Sequence, residues 1–464
     1  MKEKILQLFV NTFNLQPQGI EKISADGSNR QYFRCFSMQH PCIGVYNEDR
    51  KENEAFLSYA KQLKESGINV PEIYAEDLDN GVYLQQDLGD TTLFAYLQKH
   101  SKEETLQCYE KVIKQLPRIQ TVKDFDYTYA YPRKAFDRQS IQWDLNYFKY
   151  YFLKLSSIPF EEQALENDFT TLTDYLLSCD TNYFLYRDFQ SRNIMLYGNK
   201  VWFIDFQGGR KGALQYDIAS LLFDAKADIS IETREYLLDL YINELKKYVE
   251  VDEQDFKNHF YAYVYVRIMQ AMGSYGYRGY FEKKSHFLKS IPFALKNLEY
   301  LENNVNLPIN IPTLHQLYKQ LVNSSKLLSL SKGGNKLTVN IKSFSYKKGY
   351  PHDLSGNGGG FVFDCRALPN PGRLEEFKKL TGKDEPVREY LKDKEEVAFF
   401  LQNVENIVQQ SVDNYLKRSF ANLSVYFGCT GGQHRSVYSA EYLADKLSQN
   451  PDLNIIVQHI EQNL

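Results

Sequence analysis

The chain has 464 residues, 43% hydrophobic and 25% charged, with 55 Lys and Arg against 59 Asp and Glu. That balance supports a sizeable buried core and excludes wholesale disorder. A net charge of −4 also excludes a strongly cationic binder of nucleic acid at large, leaving only local basic patches. At roughly 150 residues per domain, two or three domains are expected. The cysteines Cys35, Cys42, Cys108, Cys179, Cys365 and Cys429 form no C-x-x-C pair, so neither a zinc ribbon nor a thioredoxin-like motif is expected. The first residues, MKEKILQLFVNTFNLQ, lack the apolar stretch and cleavage site of a signal peptide. No apolar run approaches the roughly 18 residues a membrane helix needs. A cytoplasmic protein with free thiols and no membrane partner is expected.

In chain order, an opening helical stretch precedes strand-like pieces at Gln31–Phe36 and Cys42–Tyr46. Ala55, Phe56, Tyr59, Ala60 and Leu63 then recur with a helical period. Two more strands are expected near Glu72–Ala75 and Val82–Gln86. From Thr92 the pattern is helical, apart from a strand-rich patch at 183–206. Clusters of Asn, Pro, Gly and Ser at 303–313 and 328–335 punctuate the chain. They flank a helical stretch and place a linker at 306–335, between domains at 1–305 and 336–464.

The patch YFLYRDFQSRNIMLYGNKVWFIDFQGG, 183–209, carries the strongest chemical signal. Strands are expected at Tyr183–Leu185, Ile194–Leu196 and Val201–Ile204, with a turn at Gly198-Asn199. Asp188 lies in the loop after the first strand, Asn193 five residues on, and Asp205 at the end of the last strand. A hairpin between them brings the chain back to its start, so the three side chains can converge. Phosphoryl transfer from ATP needs such a set: one carboxylate to orient an acceptor hydroxyl and take its proton, and hard oxygen ligands for Mg²⁺.

YRDFQSRNIM followed by FIDFQ resembles the aminoglycoside phosphotransferase (choline-kinase-like) family, whose fold is that of protein kinases. The resemblance covers most of 1–305. It includes Gly27–Arg34, Val70-Pro71-Glu72, Asp87–Asp90 and residues 267–295, and within the family it points to bacterial anomeric kinases of cell-wall amino sugars. It implies that Asp188 is the catalytic base, that Asn193 and Asp205 are the Mg²⁺ ligands, and that Asp217 braces the catalytic loop. Ser28, Asn29 and Arg30 would form a nucleotide-binding turn whose backbone N–H groups meet phosphate. Gln86 and Leu88 would form the hinge that meets adenine. Two departures stand out. Tyr186 replaces the usual motif histidine. The strand Cys42–Tyr46 carries no lysine for the ATP phosphates, which leaves Glu54 on the next helix without its usual partner. Arg30 or Arg34 would then supply the missing positive charge.

A second signal is LSVYFGCTGGQHRS, 423–436, read as a strand (Leu423–Phe427), a glycine-bearing loop and a helix starting at Ser436. Such a passage makes an anion cradle, because backbone N–H groups and the helix dipole face the same point. Cys429 and Arg435 have the C-x5-R spacing of cysteine phosphatases, in which the arginine forks onto phosphate and the thiol is acidified. No upstream general acid is identifiable, so binding rather than covalent chemistry is expected. His434 is read as a ligand contact or a loop brace, and Asp364-Cys365-Arg366 as part of the site or as a structural ion pair. Residues 397–416 read as a core-facing helix. Trp143 and residues 147–152 suit either an acceptor sugar or the core.

SFSYKKGYP (343–351), FVFDCRALPNPG (361–372), LTGKDEPV (380–387) and GCTGGQHRSVYSAEYLA (428–444) resemble the C-terminal domain of the RNase adapter RapZ. That resemblance spans nearly all of 336–464 and implies a site for glucosamine 6-phosphate and binding of a small RNA. It puts Thr430, Gly431 and Arg435 in the phosphate site, with Lys348 where the family usually has histidine; Cys429, Gly432 and Ser436 belong to the same cradle. Residues 336–464 hold 16 Lys and Arg and 16 Asp and Glu. Phosphate contacts dominate RNA affinity, so this neutral balance argues against tight RNA binding. Lys347, Lys348, Lys378, Lys379 and Lys383 form either one basic face or a solvated surface.

The expected class is therefore α+β, a two-lobed protein-kinase-like domain followed by a smaller α/β domain. The expected function is transfer of phosphate from ATP, with Mg²⁺, to a sugar or amino-sugar hydroxyl, beside a domain that binds a phosphorylated metabolite. The rival reading is a non-catalytic nucleotide-binding adapter that binds RNA or protein through its second domain.

Overall fold

The structure, a computed structural model, describes residues 1–23, 30–156, 158–282, 284–328, 330, 336–351, 360–418, 420 and 422–462. Two compact units are present. The first comprises 1–149, 158–271 and 293–323, and the second 150–157, 272–292 and 324–464.

The first unit opens with helix α1 (Lys2–Phe13) and a five-stranded sheet: β1 (Gly19–Ile23), β2 (Gln31–Phe36), β3 (Cys42–Tyr46), β4 (Ile73–Asp77) and β5 (Val82–Gln86). The order is β1-β2-β3-β5-β4 and every pairing is antiparallel. Alternation along the strands decides the faces. Phe33, Cys35, Cys42 and Leu84 pack with Ile5 and Phe9 of α1. Helix α2 (Arg50–Glu65) begins where the Asp49 side chain accepts the Glu52 N–H, and it buries Ala55, Phe56, Tyr59, Ala60 and Leu63, the positions its period marks.

The rest of the unit is largely helical. The helix Lys102–Gln120 starts at a reciprocal Ser101–Glu104 capping box and packs on the helix Ile231–Leu245. Two short hairpin-like pairs interrupt the helices. β6 (Tyr183–Leu185) pairs with β9 (Arg210–Gly212), and β7 (Ile194–Tyr197) with β8 (Lys200–Phe203). Gly198 and Asn199 both have φ of 57°, as the tight turn between β7 and β8 requires.

Part of the expected 306–335 linker is packed helix. Pro312–Val322 buries Leu314, Leu317, Tyr318 and Leu321, contacts the helix Glu162–Leu176 and belongs to the first unit. Asp168 on that neighbour accepts the Leu314 N–H at 2.8 Å. Asn and Pro clusters mark chain reversals, and a helix as short as this one can sit between two of them.

In the second unit, β10 (Leu337–Ser345), β11 (Gly360–Asp364), β12 (Asn422–Cys429) and β13 (Leu453–His459) form a parallel sheet of order β11-β12-β10-β13. β12 is buried from Leu423 to Cys429, as expected of a central strand covered on both faces. The helix Glu395–Lys417 turns Val397, Leu401, Val404, Val408 and Val412 into the core, while Ile407 on the same stretch stays 46% exposed. No helix among the described residues is long and apolar enough to cross a membrane.

Removing the Asp168 carboxylate leaves the first turn of Pro312–Val322 without an acceptor. Asp168→Ala is expected to cost about 1–2 kcal/mol, read as a lowered melting temperature, whereas a free linker at this position would leave the melt unchanged.

Candidate functional site

Asp188, Asn193 and Asp205 come together. The Asn193 side-chain amide donates to the Asp188 carbonyl at 2.8 Å and to the Asp205 carboxylate at 3.1 Å. Gln207 donates to the other Asp205 oxygen at 2.8 Å. Burial first, and the charge of Asp188 second, hold the Asp205 carboxyl above its ordinary value. A carboxyl raised by burial and by a neighbouring negative charge is one whose ionised form a cation would stabilise. The donor set of the Asp205 carboxylate and the Asn193 amide oxygen suits Mg²⁺ that takes its remaining ligands from triphosphate and water. No cluster of three or more His, Cys, Asp or Glu spaced to hold a metal occurs among the described residues.

The catalytic-loop backbone is held from behind. Asp217, on the helix Gln215–Leu222, is fully buried. It accepts the backbone N–H groups of Tyr186 at 2.8 Å and Arg187 at 3.0 Å, and the Gln120 side chain at 3.1 Å. Burial pushes its carboxyl up to about 7 against those donors. Arg187 has φ of 81° and Asp205 φ of 67°, conformations that non-glycine residues adopt only where the surroundings enforce them. Arg187 forks onto Asp144 with both contacts at 2.7 Å. The Tyr186 hydroxyl donates to the Ile204 carbonyl, so tyrosine in the motif-histidine position still ties the loop to the strand before Asp205.

The expected nucleotide residues fare differently. Ser28 and Asn29 lie outside the described residues. Gln86 closes β5, and its backbone N–H goes to the Glu72 carbonyl at 2.8 Å. Leu88 is buried. Arg34 is held by Asp87 at 2.7 Å and Asp90 at 2.8 Å, which fixes the segment after β5. Arg30 is 4% exposed and paired with Glu52. Glu54 pairs instead with Arg50. Trp143 is 46% exposed with the Arg133 guanidinium over its ring, which removes it from the core.

In the second unit a cavity of about 230 Å³ is lined by Cys429, Thr430, Gly431, Gln433, His434 and Arg435, with Asn370, Gly372 and Lys378 closing it. Gly432 takes φ of 68°, which turns its N–H onto the Cys429 sulfur at 3.2 Å. Ser436 lies 3.1 Å from that sulfur. Burial opposes ionisation of Cys429, but the Ser436 hydroxyl and the Ser436 and Gly432 N–H groups outweigh it, and its pKa falls below the ordinary thiol value. Arg435 is only partly the open fork expected. Its Nη1 donates to the Arg366 and Leu368 carbonyls at 2.8 and 3.0 Å, while its buried Nε has no partner. His434 contacts the Phe377 carbonyl at 2.9 Å, a bracing role. Lys348 does not line the cavity; it pairs with Glu461 at 2.6 Å. Asp364 and Arg366 form an ion pair at 2.6 Å. Asn370 and Gly372, at the end of FVFDCRALPNPG, and Lys378, of the candidate basic face, are not assigned to this site by the sequence, since they reach the cavity from a segment some 60 residues earlier.

Residues 19–251 match the model of the phosphotransferase enzyme family. The chain belongs to that family. Residues 337–463 match the RapZ C-terminal domain. A nucleotide-binding protein of Aeromonas hydrophila is 39% identical over 136 residues, 29% of this chain and 46% of that protein. One of Aeromonas salmonicida is 43% identical over 115 residues, 25% and 38% of the two chains. The chain thus spans less than half the length of these curated relatives. Similar solved structures include the choline kinase LicA of Streptococcus pneumoniae (15% identity, TM-score 0.46, 64% of this chain and 99% of that one). Another is the ADP-bound aminoglycoside phosphotransferase APH(2'')-Ib (14% identity, TM-score 0.40, 57% and 99%).

Tyr186 and Arg187 donate to different oxygens of Asp217, so Asp217→Asn turns an amide donor onto one of these N–H donors. It is expected to destabilise the protein by about 2–3 kcal/mol, measured by denaturant melts. In the second unit, iodoacetamide at neutral pH is expected to label Cys429 ahead of Cys365, whose thiol burial raises to about 12. A depressed pKa means more thiolate at neutral pH, and inorganic phosphate should slow the labelling. Peptide mapping by mass spectrometry reads both.

Proposed function

We propose that the protein is a cytoplasmic, ATP-dependent small-molecule kinase acting on a hydroxyl of a sugar or amino sugar, with a second domain that binds a phosphorylated amino-sugar metabolite. The observation that carries this reading is the convergence of Asp188, Asn193 and Asp205 on a loop fixed by Asp217. In this reading the catalytic domain is 1–305 and the metabolite domain 336–464, the residues between contributing the helix already described.

Asp188 accepts the proton of the acceptor hydroxyl as its oxygen attacks the γ-phosphorus; the bond from that phosphorus to the bridging oxygen breaks and ADP leaves. Asn193 and Asp205 would hold Mg²⁺, which when bound neutralises charge on the triphosphate. Asp217 keeps Asp188 in place through the backbone. In the second domain, the Gly432 turn, the N-terminus of Arg435–Leu447 and the unpartnered Arg435 Nε together suit a phosphate. RNA has less support. Three of the lysines that would form a basic face are already compensated, Lys348 by Glu461, Lys378 by Glu375 and Lys383 by Glu441.

The test is ADP release across a panel of sugars and amino sugars. Wild type should turn over at least one of them, and Asp188→Asn should lose on the order of 10²–10⁴-fold in rate. No turnover with any sugar, or a rate untouched by the substitution, would favour the adapter reading. Calorimetry with amino-sugar phosphates addresses the second domain. Arg435→Ala is expected to weaken binding by roughly tenfold to a hundredfold, with the melt monitored because Arg435 also ties two carbonyls.

A further inference from the structure

β3 carries no cation where a kinase lobe usually keeps one. A Cβ on Gly44 would meet Ile5 of α1 at 2.2 Å, so Gly44 faces α1, and its neighbours Ile43 and Val45 face the opposite side of the sheet. Val45 lies opposite Tyr32 on β2 and Tyr83 on β5 and is fully buried. That is the address from which a lysine would reach triphosphate, and it is apolar here.

A cation nevertheless reaches this region from another address. Arg30 stands just before β2. Its Nε lies 3.4 Å from a Glu52 carboxylate oxygen, and its Nη2 donates to the Glu52 carbonyl at 3.3 Å. Asn47 donates to the same carboxylate at 2.7 Å, so Glu52 is fixed from two sides. The Arg30 guanidinium sits 5.5 Å over the ring of Phe56. That ring stacks at 4.8 Å on Phe206, the residue after Asp205. Burial disfavours the charge on Arg30, but the carboxylates of Glu52 and Asp205 favour it, and its pKa rises. The rival cation, Arg34, is committed to Asp87 and Asp90.

We propose that Arg30 is the cation that receives the ATP phosphates, and that the Arg30–Glu52 pair, spanning the start of β2 and α2, takes over the role of a β3 lysine and its helix glutamate. The inference rests on the kinase reading and adds to it which charge holds the nucleotide and which helix residue positions that charge. A guanidinium suits the task because it stays charged when buried and has five N–H donors to share between the Glu52 carboxylate, the Tyr32 hydroxyl and phosphate oxygens. Glu52 acts through Arg30 and is a positioning residue.

The experiment uses the full chain and two readouts: the KM for ATP with a productive sugar, and the affinity for ATP by calorimetry. Arg30→Ala should raise both the KM and the dissociation constant for ATP about tenfold or more, with the KM for the sugar unchanged. Arg30→Lys, which keeps charge but loses the fork, should fall between wild type and Arg30→Ala. Glu52→Gln should raise the KM for ATP, and Glu54→Gln, on the exposed pair with Arg50, should leave it as in wild type. Adding Val45→Lys to Arg30→Ala should recover part of the ATP affinity. Wild-type KM and affinity for ATP in folded Arg30→Ala would overturn the proposal. Should that variant fail to fold, a wild-type KM and affinity for ATP in Arg30→Lys would overturn it instead. Should the wild-type chain release no ADP with any sugar, the kinase reading fails by itself, and calorimetry still decides whether Arg30 holds the nucleotide.

Discussion

One buried carboxylate organises the catalytic half of this protein. Asp217 contributes no atom to the candidate metal set, yet it receives two consecutive backbone N–H groups at the residues just before Asp188. Those groups would otherwise be buried donors without acceptors, a cost of about 1–3 kcal/mol each. The same loop carries Arg187 at φ of 81°, a conformation that survives only when several contacts over-determine it. Here those contacts are Asp217 on the backbone, Asp144 and Tyr216 on the guanidinium, and Ile204 on the neighbouring tyrosine. The loop is thus shaped before any ligand arrives, which is the condition for a carboxylate to act on an acceptor without reorganisation cost.

The second unit solves a related problem with fewer charges. Its cradle depends on a strand end, a turn with positive φ at Gly432 and a helix start, so most of the anion-facing potential comes from backbone N–H groups. Arg435 is divided between two tasks. One terminal nitrogen ties down the carbonyls of Arg366 and Leu368, while the buried Nε has no hydrogen-bond partner. An arginine anchored this way loses little further entropy on binding. Lys378 on the cavity wall is paired with Glu375, so backbone N–H groups and Arg435 rather than a lysine cluster set the potential of the cavity.

Much of this was legible in the sequence because the informative residues were close together along it. β2, β3, β5 and β6 fall at the expected limits, since each is a short run of β-branched and aromatic residues bounded by turn residues. The Asp188–Asn193–Asp205 set was legible because a hairpin of fixed length returns the chain to its start. β9 is not legible in the sequence: it is three residues long, each of them basic or glycine, and it is held by pairing with β6 and with the chain at Lys134 and Phe136. The helix at 312–322 was read as part of a linker because its punctuation was local while its stabilising acceptor, Asp168, lies 146 residues away. Lys348 was placed in the phosphate site by its motif position, and the structure turns it to Glu461 instead, a partner no local pattern reveals.

The helix glutamate shows where motif reading loses its grip. Glu52 and Glu54 are two residues apart, which on an α-helix is a rotation of about 200°; only one of them can face the sheet. The sequence reading chose Glu54 by analogy with a lysine partner on β3. With that lysine absent, the relevant partner is Arg30 at the start of β2, and the face that meets it carries Glu52, while Glu54 turns toward Arg50. Asn47 then fastens the Glu52 carboxylate, and the Phe56 ring one turn further along α2 carries the guanidinium on its face. Charge, counter-charge and aromatic support stand together, which is what physical compensation demands: a buried cation without its carboxylate would be an uncompensated charge.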